Sequence, residues 1–384
     1  MKVSFFSNYL THHQIPFCME MQKLGNIEFH FVSTQPMEEE RKTGGWALDE
    51  QYSFELKAYE SEQSKQRALQ LAEVSDVVIV GSAPEEYVAY RMKHAKVKLT
   101  LRYSERIYKG GRWRVLSPRG VWNRFNTYFR YLGKPLYMLC ASAYTAGDVA
   151  MLGSYIGRCF KWGYFPQNYS YDVERLLSEK KPNSILWVAR MIDWKHPEIP
   201  IMVAKCLKEK GYEFHLNMIG DGPMRGKMQD LIEQYGLSDC VHLLGTMSPD
   251  EVRRHMEKSK FFLFTSDRHE GWGAVLNEAM NSACAVVAND EIGSVPFLLT
   301  DGHNGYSYHG NHAERICQRI EKLLDDNALC TALGRNAYKT ITEQWSASIA
   351  AQRLVTICKQ LLNGEKTFFE DGPCSKAKIR VKKG

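Results

Sequence analysis

The feature that most constrains the fold of this chain is a regular alternation of short apolar runs with longer stretches of helical periodicity. Asp76–Gly81 and Phe261–Phe264 are typical of the apolar runs, and their composition predicts buried parallel strands. Ser61–Val74 is typical of the intervening stretches, in which apolar residues recur on one helical face. Alternation of this kind predicts an α/β fold with parallel, doubly wound sheets.

The alternation runs through the chain twice, and the charged stretch Lys180–Asn183 is the candidate linker. A length of 384 residues is also typical of two domains. We predict a Rossmann-like domain at 1–170, a second one at 184–345, a helix at 346–362 that crosses back to the first domain, and a basic, disordered tail at 363–384. Two such domains face a central cleft, where we expect the chemistry.

Composition argues against several classes of protein. No apolar run approaches the roughly 18 residues that a membrane span needs, and the apolar part of Met1–Leu10 is too short for a signal peptide. The ten cysteines show no CxxC spacing, so we interpret them as reduced thiols of a cytosolic protein, not as bridges or zinc ligands. Those on apolar segments are Cys140, Cys206, Cys284, Cys317 and Cys358.

The stretch Lys260–Met280 is the first candidate for a binding site. An apolar run ends there in a polar loop, passes Gly271-Trp272-Gly273 and enters a predicted helix at Ala274–Met280. A strand, a glycine-containing loop and a helix N-terminus form the place where α/β sheets hold anionic groups. Glu270 and Glu278 can accept hydrogen bonds from hydroxyls, which suits a nucleotide sugar. The alternative is an ordinary helix start with Glu278 in solvent.

Two cations and a second glycine turn are expected at the same edge of the sheet. Arg190 follows the predicted strand Ser184–Ala189, and Lys195 lies in the loop beyond it. Both can neutralise charge that develops on a diphosphate leaving group. Gly220–Pro223 is a glycine turn after another predicted strand. The alternatives are a solvated loop for the cations and a merely tight turn for the glycines.

In this order and spacing, these residues resemble glycosyltransferase family 4, the retaining nucleotide-sugar enzymes of GT-B fold. The resemblance is strong over 184–345. The N-terminal half is similar in architecture, with a looser likeness to capsule and cell-surface polysaccharide transferases. The matching positions are Arg190, Lys195, Gly220–Pro223, Val241–Gly245, Ser248, Glu270–Met280, Gly293–Pro296 and Asp301–Gly305.

The resemblance implies a role for each position. It places the donor diphosphate on Arg190 and Lys195, the transferred sugar on Glu270 and the ribose hydroxyls on Glu278. The candidate catalytic residues are Glu270, Arg190, Lys195 and His13. The candidate donor-binding residues are Arg190, Lys195, Gly220, Asp221, Gly245, Gly271, Trp272, Gly273, Ala274, Val275 and Glu278.

The N-terminal half departs from the family pattern. Many members have a Gly-Gly loop after the first strand, but Asn8–Gln14 contains no glycine, and a family histidine that follows a later strand has no obvious equivalent. His13 is therefore the candidate to face the transferred sugar, and helix capping is the alternative for His12 and His13. Glu105 and Arg106 form either a structural ion pair or part of the acceptor site.

No divalent metal is expected, because no Asp-x-Asp motif stands at a predicted strand end, and the nucleotide sugar is a co-substrate and not a cofactor. The donor is a nucleotide-diphosphate sugar, with UDP favoured over GDP, and the acceptor is a saccharide or lipid-linked saccharide of cell-surface polysaccharide synthesis. The resemblance implies that leaving-group oxygens assist deprotonation of the acceptor, so that retention needs no protein nucleophile. A sugar-nucleotide epimerase of the same architecture and a non-catalytic transferase-like subunit are the alternatives.

A basic, aromatic segment suggests a further partner. Between Arg102 and Lys134 there are nine Lys or Arg residues and one acid, Glu105. From Val121 to Leu132 the apolar positions follow one helical face, as an in-plane helix on a membrane surface requires. We therefore predict peripheral contact with the cytoplasmic leaflet. The alternative is a helix packed on its own domain; nucleic acid is not expected, because nothing else in the chain supports it.

Overall fold

The computed structural model describes residues 1–39, 51–95, 98–367 and 369–380. The chain divides into two compact units, one formed by Met1–Gln167 with Trp345–Gly384 and the other by Asn168–Gln344. The predicted linker, Lys180–Asn183, therefore lies inside the second unit, and the end of the chain belongs to the first.

The first unit is built on a seven-stranded sheet in which neighbouring strands are parallel. Its order is β3-β2-β1-β4-β5-β6-β7, so the chain builds outward from β1 in one direction and from β4 in the other. This is a doubly wound arrangement with its switch point between β1 and β4. The strands are β1 Lys2–Ser7, β2 Glu28–Ser33, β3 Glu55–Lys57, β4 Val77–Val80, β5 Leu99–Ser104, β6 Leu136–Cys140 and β7 Cys159–Lys161.

Helices alternate with these strands as the periodicity predicts. They are α1 Ile15–Lys23, α2 Glu62–Val74, α3 Glu85–His94, α4 Pro118–Asn123 and α5 Thr145–Met151. Ser61 begins α2 because its side chain accepts a hydrogen bond from the Ser64 amide at 3.0 Å. Strand β5 begins at Leu99, just after residues 96–97, which lie outside the described residues.

The second unit repeats the arrangement with six parallel strands in the order β10-β9-β8-β11-β12-β13. Its switch point lies between β8 and β11, whose residues are almost all buried, as predicted. The strands are β8 Ser184–Val188, β9 His215–Ile219, β10 Val241–Gly245, β11 Phe261–Phe264, β12 Ala285–Asn289 and β13 Tyr306–Tyr308.

The helices of the second unit surround this sheet. They are α6 Val173–Ser178, α7 Glu198–Glu209, α8 Arg225–Gln234, α9 Pro249–Lys258, α10 Val275–Asn281, α11 Val295–Leu298, α12 Ala313–Asp325 and α13 Asn327–Lys339. A capping box begins α9, because the Ser248 side chain accepts from the Glu251 amide and Glu251 accepts from the Ser248 amide. No helix within the described ranges is long and apolar enough to cross a membrane.

The last helix, α14 (Ala347–Leu362), packs against α1 within the first unit. The prediction of a disordered tail is wrong for the described residues that follow it. The amide of Lys161 donates to the Ser375 carbonyl at 2.7 Å, and the amide of Cys374 donates to the Lys161 carbonyl at 2.8 Å. The tail thus satisfies backbone groups on the edge strand β7 and buries Cys374, whereas residues 381–384 lie outside the described residues.

The expectation that all cysteines are reduced is also wrong for one pair. Cys206 on α7 and Cys317 on α12 form a disulfide with a Cα–Cα distance of 6.4 Å. The two residues are 111 positions apart, and only the packing of α7 against α12 brings them together. Spacing along the chain could not reveal this pair, while the other eight cysteines are buried free thiols, as expected.

Candidate functional site

The carboxyl ends of β8 and β11 lie side by side at the switch point of the second sheet. Arg190 and Lys195 lie in the loop that follows β8, and Glu270 and Gly273 lie in the loop that follows β11. Open α/β sheets bind ligands where the strand order reverses in this way. The topology therefore brings together predicted donor-binding residues that are distant in the chain.

Hydrogen bonds tie these two loops to each other. The buried hydroxyl of Thr265 accepts from the Trp187 indole N–H at 2.9 Å and donates to the Lys195 carbonyl at 2.7 Å. The Asp267 amide donates to the Trp194 carbonyl at 3.0 Å. These three hydrogen bonds hold the two loops against each other in the absence of a ligand.

Lys195 and Glu270 form an ion pair at the centre of this site. Their side chains are only 13% and 12% exposed, and the Lys195 ammonium lies 4.3 Å from the centre of the Trp194 ring. A partly buried cation and anion held side by side can bind a phosphate oxygen and a sugar hydroxyl in adjacent positions. The sequence predicted both residues for the site, but not that they pair with each other.

His196, which sequence reasoning missed, also connects the two loops. Its backbone is left-handed, with φ of 50°, and its ring contacts Asp267 at 3.5 Å and Glu198 at 3.0 Å. These two carboxylates raise the pKa of His196 to about 9, so the ring is charged at neutral pH.

Asp267, also missed, is the common acceptor in this cluster. Although burial raises its pKa, hydrogen bonds from His196 and from the backbone and ring of His269 hold the pKa at about 2. The only signal in the sequence was an acid and two histidines in predicted loops, which is too common a pattern to indicate a cluster.

Glu278 lies on α10, one turn inside the helix, and its side chain is half-buried. Burial raises the pKa of its carboxyl group, and the Arg253 guanidinium offsets part of that rise. Within the described ranges no residue donates a hydrogen bond to this carboxyl group. A ligand hydroxyl could supply the missing donors, which fits the predicted contact with a ribose.

Two glycines of the site loops occupy positions where a side chain would not fit. Gly273 has φ of +84°, and a side-chain carbon there would lie 2.6 Å from the Phe264 ring. Gly220 has φ of +130°, and a side-chain carbon there would lie 1.9 Å from the Ala189 carbonyl oxygen. After Gly273, the amides of Ala274 and Val275 find no acceptor among the described residues, so they are available to an anionic group.

The other predicted residues occupy different surroundings. Arg190 is exposed, and its guanidinium makes no hydrogen bond or ion pair with any residue that the structure describes. Asp221 is exposed and accepts from the Gly222 amide at 2.6 Å, while the Gly245 carbonyl accepts from the Gly220 amide at 2.8 Å. Trp272 beside Gly271 is fully buried, and its indole donates to Asn277 at 2.9 Å.

His13 belongs to the first unit and precedes α1. The centre of its ring lies 3.8 Å from the centre of the His12 ring and 5.8 Å from the centre of the Tyr164 ring. Burial, with a contribution from His12, lowers the pKa of His13 to about 3, so the imidazole is neutral at physiological pH. The residue at the start of α1 is Gln14, whose side-chain oxygen accepts from the Thr11 amide at 3.1 Å.

Glu105 and Arg106 lie beyond β5. Glu105 forms an ion pair with Lys109 at 2.6 Å and accepts a hydrogen bond from the Tyr164 hydroxyl. The Arg106 guanidinium lies 4.0 Å from the centre of the Tyr144 ring. Tyr164 therefore joins Glu105 and His13 in one polar cluster of the first unit.

The part of the chain that contains the Lys195–Glu270 site matches a known family. Residues 171–340 match the sequence model of the family described as glycosyl transferases group 1. The alpha-D-kanosaminyltransferase of Streptomyces kanamyceticus is 29% identical over 177 residues, or 46% of this chain and 45% of that protein. A putative colanic acid biosynthesis glycosyltransferase of Escherichia coli K12 is 28% identical over 187 residues, or 47% and 46%. The chain spans about half the length of the curated relatives it matches.

A solved structure resembles the chain over a wider range. The crystal structure of HepE from Anabaena in complex with UDP matches with a TM-score of 0.67 at 14% identity, covering 94% of this chain and 100% of that one. The predicted fold class, two Rossmann-like units of GT-B type, is thereby confirmed.

Proposed function

We propose that this chain is a retaining glycosyltransferase of cell-surface polysaccharide synthesis. It moves a sugar from a nucleotide-diphosphate donor, with UDP favoured, to a saccharide or lipid-linked saccharide. The observation that carries the proposal is the partly buried Lys195–Glu270 pair beside the start of α10, at the switch point of a parallel sheet. The match of 171–340 to group 1 glycosyl transferases includes that site.

The similar proteins support the donor and the setting of the reaction. The Escherichia coli relative is described as acting in colanic acid biosynthesis, and the Streptomyces relative as transferring a sugar. The Anabaena protein, which shares the fold, holds UDP in its crystal structure. These descriptions favour a UDP-sugar over a GDP-sugar and a polysaccharide acceptor over a small molecule.

The donor is held by groups of opposite character. Arg190, Lys195 and the amides of Ala274 and Val275 bind the diphosphate, because all four donate hydrogen bonds and two carry positive charge. Glu278 accepts hydrogen bonds from the ribose hydroxyls. Lys195 moves towards the phosphate while Glu270, released in part from the ion pair, turns to hydroxyls of the transferred sugar.

The reaction follows from this placement of charge. The bond between the anomeric carbon and the diphosphate oxygen breaks, and a bond from the acceptor oxygen forms on the same face of the sugar. The acceptor proton passes to an oxygen of the leaving diphosphate. Arg190 and Lys195 stabilise the negative charge that grows there, and this lowers the barrier because the charge is greatest in the transition state.

His13 is proposed to face the transferred sugar. Its pKa of about 3 keeps the imidazole neutral, so it acts as a hydrogen-bonding group and not as a cation. Retention of configuration then needs no nucleophilic side chain, in agreement with the leaving-group-assisted route.

The proposed activity uses no divalent metal, because the two cations supply the positive charge that a metal would otherwise provide. Transfer should therefore continue in EDTA. Loss of transfer in EDTA that Mn²⁺ restores would contradict this part of the proposal.

The test combines a donor screen with an assay of transfer. Nucleotide sugars are screened by thermal shift, where a ligand at about 100 times its Kd adds about 2.7 kcal/mol of stability. Transfer by the purified chain is then followed by NMR, which shows the anomeric configuration of the product. Lys195→Ala should lower kcat/KM by about 10²–10³, whereas Lys322→Ala, at an exposed site on α12, should not.

Other outcomes would favour the alternatives. Exchange of the proton at sugar C2 with donor alone would indicate an epimerase. Absence of binding to every nucleotide sugar would indicate a non-catalytic subunit, and an inverted product would contradict retention.

A further inference from the structure

The first unit carries an exposed apolar surface on consecutive turns of the chain. Of the fourteen large hydrophobic side chains that are exposed among the described residues, six lie between positions 113 and 132. Leu116 is 80% exposed, Trp113 67%, Trp122 63% and Phe125 60%. We call these six side chains the aromatic patch: Trp113, Leu116, Val121, Trp122, Phe125 and Leu132.

The segment that carries the aromatic patch is anchored on its other side. Asp148 accepts hydrogen bonds from the amides of Ile107 at 2.9 Å and Tyr108 at 3.2 Å. Tyr131 is buried, and the ring of Tyr128 packs against that of Tyr155 at 6.3 Å. The patch is therefore the outer side of a segment whose inner side belongs to the core.

The local geometry differs from the single helical face predicted for 121–132. A 3₁₀ turn at Arg112–Leu116 leads into α4, and a π-helical turn at Arg124–Tyr128 and a 3₁₀ turn at Phe129–Tyr131 follow. These changes of pitch turn Tyr128 and Tyr131 inward and leave Phe125 outward. The segment thus packs on its own domain through Tyr128 and Tyr131, while the six side chains of the patch remain exposed.

The charged residues of the segment that carries the aromatic patch have one sign. The sequence contains no Asp or Glu between Arg106 and Gly147. Arg119, Arg130 and Lys134 are exposed, and none of them pairs with a carboxylate of the described part of the chain. Anionic partners are thus attracted to the place where apolar side chains are already in water.

We propose that the aromatic patch docks the first unit on a membrane surface that contains anionic lipids. Tryptophan and phenylalanine rings bury their apolar surface at the depth of the headgroups, while Arg119, Arg130 and Lys134 contact lipid phosphates. A nucleic acid would satisfy the cations but leave Leu116 and Val121 exposed to water. Docking on the cytoplasmic leaflet would bring the enzyme to a lipid-linked acceptor. This consequence of docking rests on the proposed function.

The test is co-sedimentation of the full chain with vesicles of phosphatidylcholine, with and without about one third phosphatidylglycerol. We expect binding only to the anionic vesicles, decreasing as salt rises, because the charges lie at the surface. Trp122→Ala/Phe125→Ala should lower the partition coefficient at least about tenfold, since both side chains would otherwise enter the interface. Met202→Ala/Leu362→Ala, which also removes two exposed apolar side chains, is the matched control.

A second pair of variants tests the charges. Arg119→Glu/Arg130→Glu/Lys134→Glu should abolish binding, whereas Lys322→Glu/Lys359→Glu/Lys366→Glu, with the same change in net charge at exposed positions, should retain it. Equal loss of binding in both triple variants would overturn docking by the aromatic patch. The proposal would also be overturned if the wild type did not bind vesicles, or bound an oligonucleotide instead. Failure of docking leaves donor binding and transfer to a soluble acceptor intact, so it is distinguishable from failure of the proposed function.

Discussion

At the scale of single residues, Glu278 and His196 have raised pKa values for opposite reasons. Burial raises the pKa of Glu278, so its charged form is disfavoured in the ligand-free protein. The carboxylates of Asp267 and Glu198 raise the pKa of His196, so its charged form is favoured. The ionised Glu278 carboxylate therefore destabilises the ligand-free protein, and hydrogen bonds from a ligand can offset this effect. The charged His196 ring, in contrast, stabilises the protein before any ligand binds.

The first prediction concerns Glu278→Gln. The substitution should weaken binding of UDP-sugar or UDP by about tenfold to a hundredfold, because a hydrogen bond to a charged acceptor is worth about 1.5–3 kcal/mol. The ligand-free variant should be no less stable than the wild type at pH 7, since a raised carboxyl pKa means that ionisation opposes folding. Calorimetric titration and urea unfolding measure the two effects. Glu213→Gln, at an exposed position, is the control, and unchanged affinity in Glu278→Gln would remove this residue from the donor site.

The second prediction concerns the pH dependence that His196 confers. Its pKa is raised from 6.5 to about 9, so its stabilising effect is fully present below about pH 6.5 and is lost as the pH rises through about 9. We expect a loss of about 1–2 kcal/mol over that range after allowance for screening. In His196→Asn the free energy of unfolding should change less over this pH range. Asparagine tolerates the left-handed backbone at this position.

Urea unfolding at pH 6 and pH 9.5 measures the effect. His215→Asn, at an exposed position, should show the same change in unfolding free energy between the two pH values as the wild type. An identical slope in His196→Asn would show that the charged ring is not coupled to folding.

At the scale of elements, the turn between β11 and α10 depends on a backbone without a side chain. Gly273→Ala should destabilise the protein and abolish donor binding, because the new methyl carbon would lie 2.6 Å from the Phe264 ring at a positive φ. Gly236→Ala also has a positive φ, of +62°, but meets no atom within 4 Å, so it should cost only about 1 kcal/mol and retain binding. Thermal unfolding with and without UDP compares the two. Full donor binding by Gly273→Ala would contradict a close approach of backbone to ligand.

How far a strand could be predicted depends on whether its residues form a continuous apolar run. Phe261–Phe264 was predicted with its observed bounds, because this buried central strand is a continuous apolar run. The edge strands β3 and β13 were not predicted. Two of the three residues of β3, Glu55-Leu56-Lys57, are charged, so no apolar run marks this strand in the sequence.

The site shows the same limit. Arg190, Lys195, Glu270 and Gly273 could be predicted because each follows a strand, and parallel strands end at one edge. The partners of His196 could not, because polar loop residues have no periodicity and their pairing depends on the order of strands in the sheet.

At the scale of the whole molecule, the chain leaves its first unit at residue 167 and returns to it at Trp345. The return consists of α14, which packs on α1, and of the tail that pairs with β7. Charge alone predicted the tail to be disordered, and that prediction failed because four described residues within it, positions 372–375, are buried. Every residue of the Lys195–Glu270 site, in contrast, lies in the second unit.

The last prediction follows from this division. Removal of residues 369–384 should destabilise the first unit by about 2–4 kcal/mol, because the tail contributes the buried Cys374 side chain and backbone hydrogen bonds to Cys159 and Lys161. UDP affinity should remain at the wild-type value, since the donor-binding residues belong to the second unit. Removal of residues 381–384 alone is the control and should change neither quantity. Calorimetric unfolding with a parallel UDP titration measures both effects. Equal stability of the two truncated chains would show that the tail does not hold β7, and loss of UDP affinity in the longer truncation would show that the donor site depends on the first unit as well.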